Sequence, residues 1–165
     1  MSGHHYSSTL CGWREWVSLP SIELPWVKAK IDTGAQTSAL HATGITEFER
    51  DGVPWVRFTA HPWQLSDEDA VEVELPVHDR RTVRSSSGHA QERPVVLVEV
   101  DLVGRRISAE FTLTDREEML FRMLIGREAL RQGFVVDAAG SFLGGKPPRP
   151  IRRRNRGRSG PASTS

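Results

Sequence analysis

The stretch of this chain best suited to chemistry is Asp32-Thr33-Gly34, at the end of the apolar run Val27-Lys28-Ala29-Lys30-Ile31. On an extended strand, residues two apart share a face. Val27, Ala29 and Ile31 then line one face, and Lys28, Lys30 and Asp32 the other. With the apolar row in the core, Asp32 stands at the strand's end and points into open space. Gly34 allows the backbone to turn its N–H groups toward the carboxylate, and the Thr33 hydroxyl can tie the loop to a neighbour. One carboxylate does little at neutral pH. Two carboxylates about 3 Å apart cannot both ionise, so they share a proton: one activates a water as base while the other, as acid, polarises a carbonyl. The tripeptide arises by chance in roughly a few per cent of chains this size, and taken alone it reads as a turn.

The elements that must position Asp32 are strands. "WREWVSL", "LPWVKAKI", "PWVRFTA", "VEVELPV", "PVVLVEVDLV" and "RRISAEFTL" are short, β-branched and aromatic, with period-two alternation. "RDGV" at Arg50–Val53, "VGRR" at Val103–Arg106 and "AAGS" at Ala138–Ser141 each suit a hairpin turn. The spacing predicts one short helix, Arg127 to Gln132, ended by Gly133. Many short strands and one late helix predict an all-β domain, a small barrel or sandwich.

"KIDTGAQTSAL" followed much later by "MLIGREAL" resembles the retropepsin-like aspartic peptidases over roughly Trp13 to Leu143. With "GWREWVSLP" and "RSSSGHAQERPVV" added, the four segments resemble, in order, a bacterial family long labelled putative ATP-dependent zinc proteases. That family is retropepsin-like and is associated with ATP-grasp ligases that add glutamate tails to proteins. The resemblance implies a closed β-barrel of the acid-protease type and a peptidase acting on glutamate-rich tails, including one on a ribosomal protein. It also implies catalytic roles for Asp32, Thr33 and Gly34, with Leu124-Ile125-Gly126 packed beside their loop and Arg127 opening the helix behind it. Viral retropepsins carry an acid shortly after the motif to pair with that arginine. Here Gln36-Thr37 stand in its place, which leaves Arg127 open to a structural partner or a substrate carboxylate.

Asp51, Asp67, Asp69, Asp79, Asp101, Asp115 and Asp137 are not followed by Thr-Gly or Ser-Gly. A dyad therefore needs two chains, each giving one Asp32 across a two-fold axis, so the expected first partner is a second copy. In the retropepsin-like fold the residue two before the aspartate lines the cleft. Here it is Lys30, and a cation favours acidic side chains. "HDRRTVRSSSGHAQERPVV" reads as a hairpin centred on Ser85-Ser86-Ser87 and resembling that fold's flap, armed by Arg81, Arg84, His89 and Arg93. Arg84 and Arg93 are the expected carboxylate ligands, because Arg binds carboxylate bidentately.

The histidines His41, His61, His78 and His89 show no close metal-binding pair, and no Gly-rich phosphate loop is present, so neither metal nor cofactor is expected. Cys11 lacks an intrachain partner. Two rival readings stand beside the aspartic peptidase: a zinc metallopeptidase, and a dimeric module that grips acidic tails without cutting.

Charge divides the chain unequally. Of 22 basic residues seven lie from Lys146 onward, where there is no acid; the remaining 15 face 21 acids, a body of −6. The expected layout is a flexible N-terminus (1–12), a peptidase domain (13–145) and a disordered basic tail (146–165) that is solvated or weakly engages RNA or the ribosome. No apolar run is long enough for a membrane span, and no secretory leader pattern opens the chain, so the expected location is cytoplasmic.

Overall fold

The computed structural model describes residues 8–84, 88–115 and 120–157. Ten strands follow in chain order: β1 (Thr9–Leu19), β2 (Leu24–Ile31), β3 (Ser38–Arg50), β4 (Val53–Ala60), β5 (Val71–Pro76), β6 (Asp79–Arg84), β7 (Ala90–Leu102), β8 (Arg105–Thr114), β9 (Met123–Ile125) and β10 (Phe134–Ser141). Among the described residues there are also two short α-helices, α1 (Arg127–Leu130) between β9 and β10 and α2 (Arg149–Asn155) near the end, and a single 3-10 turn at Pro20–Ile22.

Six strands close a barrel in the order β1-β2-β9-β3-β8-β7, and Ser18 of β1 pairs with Asp101 of β7 to complete the ring. Its interior is the apolar row of each strand, including Val17, Leu19, Val27, Ala29, Ile31, Leu40, Val98, Val100, Phe111 and Met123. The alternation in β2 is as expected: Val27, Ala29 and Ile31 are buried, while Lys28 and Asp32 are half-buried and Lys30 is exposed. β3 runs on past the barrel to pair with β4, which pairs with β5, and Val56, Phe58 and Val73 bury the inner face of this extension.

Two of the expected hairpin turns are present. Asp51 and Gly52 (φ 53° and 76°) join β3 to β4, and Val103 and Gly104 (φ 48° and 76°) join β7 to β8. Both central residues have φ > 0, the geometry that matches strand twist. The third, Ala138–Ser141, is not a turn: it is extended within β10, which lies parallel to β1. Gly12 and Gly140 explain that path. A Cβ on Gly12 would stand 2.3 Å from the Gly140 carbonyl oxygen, so the two backbones touch where turn chemistry had been expected.

Both expected chain ends are corrected. Thr9 to Gly12 belong to β1, registered against Phe134 to Asp137, so order begins well before residue 13; residues 1–7 lie outside the described residues. At the other end the basic segment is not structureless from Lys146: α2 forms, with Asn155 only 3% exposed. Composition argues correctly that this segment cannot build a core of its own. It docks on one already built. The Asn155 side chain accepts from the Gln64 N–H (2.9 Å) and donates to Gln64 Oε1 (2.7 Å), and its carbonyl accepts from the Leu65 N–H (3.0 Å). Residues 158–165 lie outside the described residues.

Candidate active site

Asp32 is placed by two strands far apart in sequence. β9 inserts between β2 and β3, parallel to β2 with Ile31 opposite Ile125, and antiparallel to β3 with Ala39 opposite Leu124. This register sets the residue after β2 beside the residue after β9. The Asp32 N–H donates to the Ile125 carbonyl (2.9 Å), the Gly34 N–H donates to Asp32 Oδ1 (2.9 Å), and the Ala35 N–H closes the turn on the Asp32 carbonyl (3.2 Å). The carboxylate thus faces the loop's own amide at the barrel surface, on the same strand face as Lys30.

Gly126 is the close-approach point. Its N–H donates to the buried Ser38 hydroxyl (3.0 Å), and a Cβ there would stand 2.5 Å from the Thr37 carbonyl oxygen. The Arg127 N–H donates to the Ala35 carbonyl (2.7 Å) and the Glu128 N–H to the Gln36 carbonyl (3.0 Å). The start of α1 is therefore stitched to the Asp-Thr-Gly loop by main-chain bonds. The guanidinium of Arg127 donates to the Thr33 carbonyl at 3.1 Å. The acceptor of this guanidinium is thus a backbone oxygen of the loop.

The hairpin of β6 and β7 has the expected form, running from Asp79 opposite Val95 to Arg84 opposite Ala90. Its centre, Ser85-Ser86-Ser87, lies outside the described residues. Arg84 is exposed at the outer end of β6, while Arg81 and Arg93 face one another across the strands. The two differ in their surroundings. Arg81 is engaged by Glu110 of β8 and by Asp79, and its guanidinium holds the Glu110 carboxyl below the usual range. Arg93 meets the Gln91 amide oxygen at 3.3 and 3.4 Å. A cavity of about 610 Å³ lies between the hairpin base and the loop, where Arg81 and Glu110 stand across from Gln36, Thr37 and Gln132.

Thr33, Gly34 and Arg127 are thus brought into one bonded cluster with Asp32, and Lys30 stands two residues before it. Sequence reasoning missed Glu15. This carboxylate is fully buried and accepts N–H bonds from Gly12 (2.7 Å), Leu143 (2.9 Å) and Gly144 (3.1 Å), fastening the chain after β10 to the barrel. An acid between Trp13 and Trp16 in a strand was the available signal, since a charge in such a strand needs partners. Among the described residues no group of three His, Cys, Asp or Glu side chains is gathered so as to hold a metal ion. Among them, too, no helix is long and apolar enough to cross a membrane.

A closed barrel with an Asp-Thr-Gly loop locked against an apolar-apolar-Gly strand end defines the retropepsin-like class. Residues 10–147 match the family described as RimB-like, retropepsin-like aspartic endopeptidase RimB, and the chain belongs to that family. It is similar to proteins named probable α-L-glutamate ligase from Shewanella pealeana (41% identical over 83% of this chain) and Parasynechococcus marenigrum (42% over 80%). The match spans only 30% and 28% of the length of those relatives. Among solved structures it is similar to a Legionella pneumophila protein of unknown function, with a TM-score of 0.70 and 30% identity over 84% of this chain and 99% of that one.

Proposed function

We propose that two copies of this chain form an aspartic endopeptidase that hydrolyses peptide bonds in glutamate-rich tails. The observation that carries the reading is the Asp32 loop, a surface carboxylate held by the Gly34 N–H and braced by β9 and α1, with the cation Lys30 on the same strand face. The naming of the longer relatives as glutamate ligases supports the substrate class, because a segment like this one would there be joined to an enzyme that makes such tails.

In the proposed dimer the two Asp32 carboxyls share one proton. The ionised one takes a proton from water as its oxygen attacks the peptide carbonyl carbon, and the protonated one donates to the carbonyl oxygen. Collapse of the tetrahedral intermediate breaks the C–N bond and passes a proton to the departing amine. Lys30, with Arg84 and Arg93 on the hairpin, attracts carboxylates flanking the cleaved bond. Arg127 braces the loop through Thr33, and Arg81 reaches a substrate carboxylate only by exchanging Glu110 for it.

Incubation of α-linked polyglutamate with the protein and with its Asp32→Asn variant, read by mass spectrometry, tests this. Shortened chains are expected from the parent protein alone. Equal product from both, or none from either, overturns catalysis by Asp32. Stoichiometric zinc together with loss of cleavage on chelation would establish the metallopeptidase instead.

A further inference from the structure

A second basic concavity lies outside the Asp32 loop. Lys28 of β2, Lys146 after β10, Arg152 of α2 and Arg156 just after it surround a cavity of about 310 Å³, with Gln64 and Phe142 between them. Among the described residues no carboxylate lines it. The crowding of like charge is pronounced. The Lys28 ammonium stands 5.4 Å from the centre of the Phe142 ring, the Lys146 ammonium 5.2 Å and the Arg14 guanidinium 4.7 Å. Ring contacts of this kind offset part of the repulsion, but four lining cations without a counter-charge leave a field that an anion would relieve.

The fold holds them there. α2 is tied to Gln64 and Leu65, in the loop after β4, by the three Asn155 hydrogen bonds, and the Arg152 guanidinium donates to the Pro147 carbonyl at 3.1 Å, which fixes the turn that presents Lys146. Burial lowers the Lys28 pKa first, and the charges of Arg14, Arg156 and Lys146 lower it further. Arg152 and Arg156 lie beyond residue 147, where the family match ends.

We infer that this cavity is a second carboxylate-binding site, which grips an acidic peptide at a distance from the Asp32 loop and so favours long glutamate chains over short ones. The geometry supplies the spacing. Lys28 shares a strand face with Lys30 and Asp32 and precedes Asp32 by four residues, about 13 Å of extended strand, which is also about four residues of an extended ligand. The inference rests on the reading that the chain acts on glutamate-rich tails, and it adds a length requirement. Nucleic acid fits the cavity less well, because the accessible aromatic, Phe142, is already occupied by three cations and offers no open stacking platform.

The test uses the full chain carrying Asp32→Asn, so that binding is read without cleavage, with fluorescent α-linked glutamate peptides of about four and about twelve residues and an RNA oligomer of matched charge. Lys146→Gln/Arg156→Gln removes two lining charges and leaves the Arg152 bond to Pro147 intact. Arg149→Gln/Arg153→Gln removes the same charge from the helix outside the lining. A thermal melt of each variant confirms that α2 stays docked. We expect the lining variant to weaken the long peptide at least about tenfold and the short one less than about twofold, with the control pair changing either by less than about twofold; a tenfold change is about 1.4 kcal/mol. Equal loss from both pairs would reduce the effect to diffuse attraction and overturn the site. So would no loss from either, or a loss confined to RNA. In the cleaving protein the lining variant should raise KM for the long peptide and leave kcat for the short one unchanged. If Asp32→Asn cuts as well as the parent, the peptidase reading fails while the binding result stands; if only the length preference is missing, this inference alone fails.

Discussion

Replacing Gly126 by alanine should damage the Asp32 loop from behind. Gly126 has φ −96° and ψ −179°, extended backbone that any residue adopts, so the substitution carries no dihedral cost. The obstacle is contact. An added Cβ would stand 2.5 Å from the Thr37 carbonyl oxygen, 2.7 Å from its carbon and 2.9 Å from the Ala35 carbonyl oxygen. All three are main chain, so no side chain can swing aside. Reaching ordinary contact at 3.4 Å requires the loop and the end of β9 to part by about 0.9 Å. That movement strains the Gly126 bond to Ser38, the Arg127 bond to Ala35 and the Asp32 bond to Ile125. Overpacking of this kind costs about 1–3 kcal/mol, and a misplacement near 1 Å costs on the order of 10²-fold in rate. The assay pairs urea denaturation with polyglutamate turnover, beside Gly104→Ala as control. At Gly104 an added Cβ meets nothing within 4 Å, but φ is +76°, so a loss of about 1–2 kcal/mol is expected with turnover intact. If Gly126→Ala stays within about 0.5 kcal/mol of the parent and keeps its turnover, the bracing argument is refuted, since surface substitutions already vary by that much.

Further outcomes follow from buried groups. His41 and His61 lie with ring centres 5.4 Å apart, facing Arg122, Asp67 and Asp115, and burial lowers both pKa values below 6.5. A depressed histidine binds fewer protons folded than unfolded, so stability should fall as pH drops from about 7.5 to about 5.5. The urea midpoint checks this, and His41→Gln/His61→Gln should flatten the slope; an equal or higher midpoint at the lower pH would sink it. Burial, aided by the nearby Glu15 charge, raises the Cys11 thiol to about 11. A disulfide reagent at pH 8 should label Cys11 only in denaturant, and rapid labelling of the native protein would contradict its buried place in β1.

Much of the site was legible locally. The alternation of Val27, Ala29 and Ile31 against Lys28, Lys30 and Asp32 depends only on strand geometry, and the Asp51-Gly52 and Val103-Gly104 turns depend on φ preferences within two residues. The Asp-Thr-Gly loop closes on itself through Gly34 and Ala35, three residues at most from the aspartate. The "AAGS" turn failed for the opposite reason. Its glycine serves a close approach to Gly12, more than a hundred residues away in sequence, rather than a local bend.

The sequence by itself thus determined the position of the Asp32 carboxylate at a strand's end, the face it shares with Lys30 and the strands that carry both, because these follow from interactions between near neighbours. Tertiary structure alone decided that the Arg127 guanidinium ends on the Thr33 carbonyl, that Glu15 is satisfied by the distant amides of Leu143 and Gly144 beside the near one of Gly12, and that an arginine-rich end becomes the docked helix α2. Asn155 meets Gln64 across 91 residues, and no composition or period encodes such a pairing. A segment too polar to fold alone needs only one well-satisfied polar anchor once another part of the chain has already paid the entropy of building the surface it rests on.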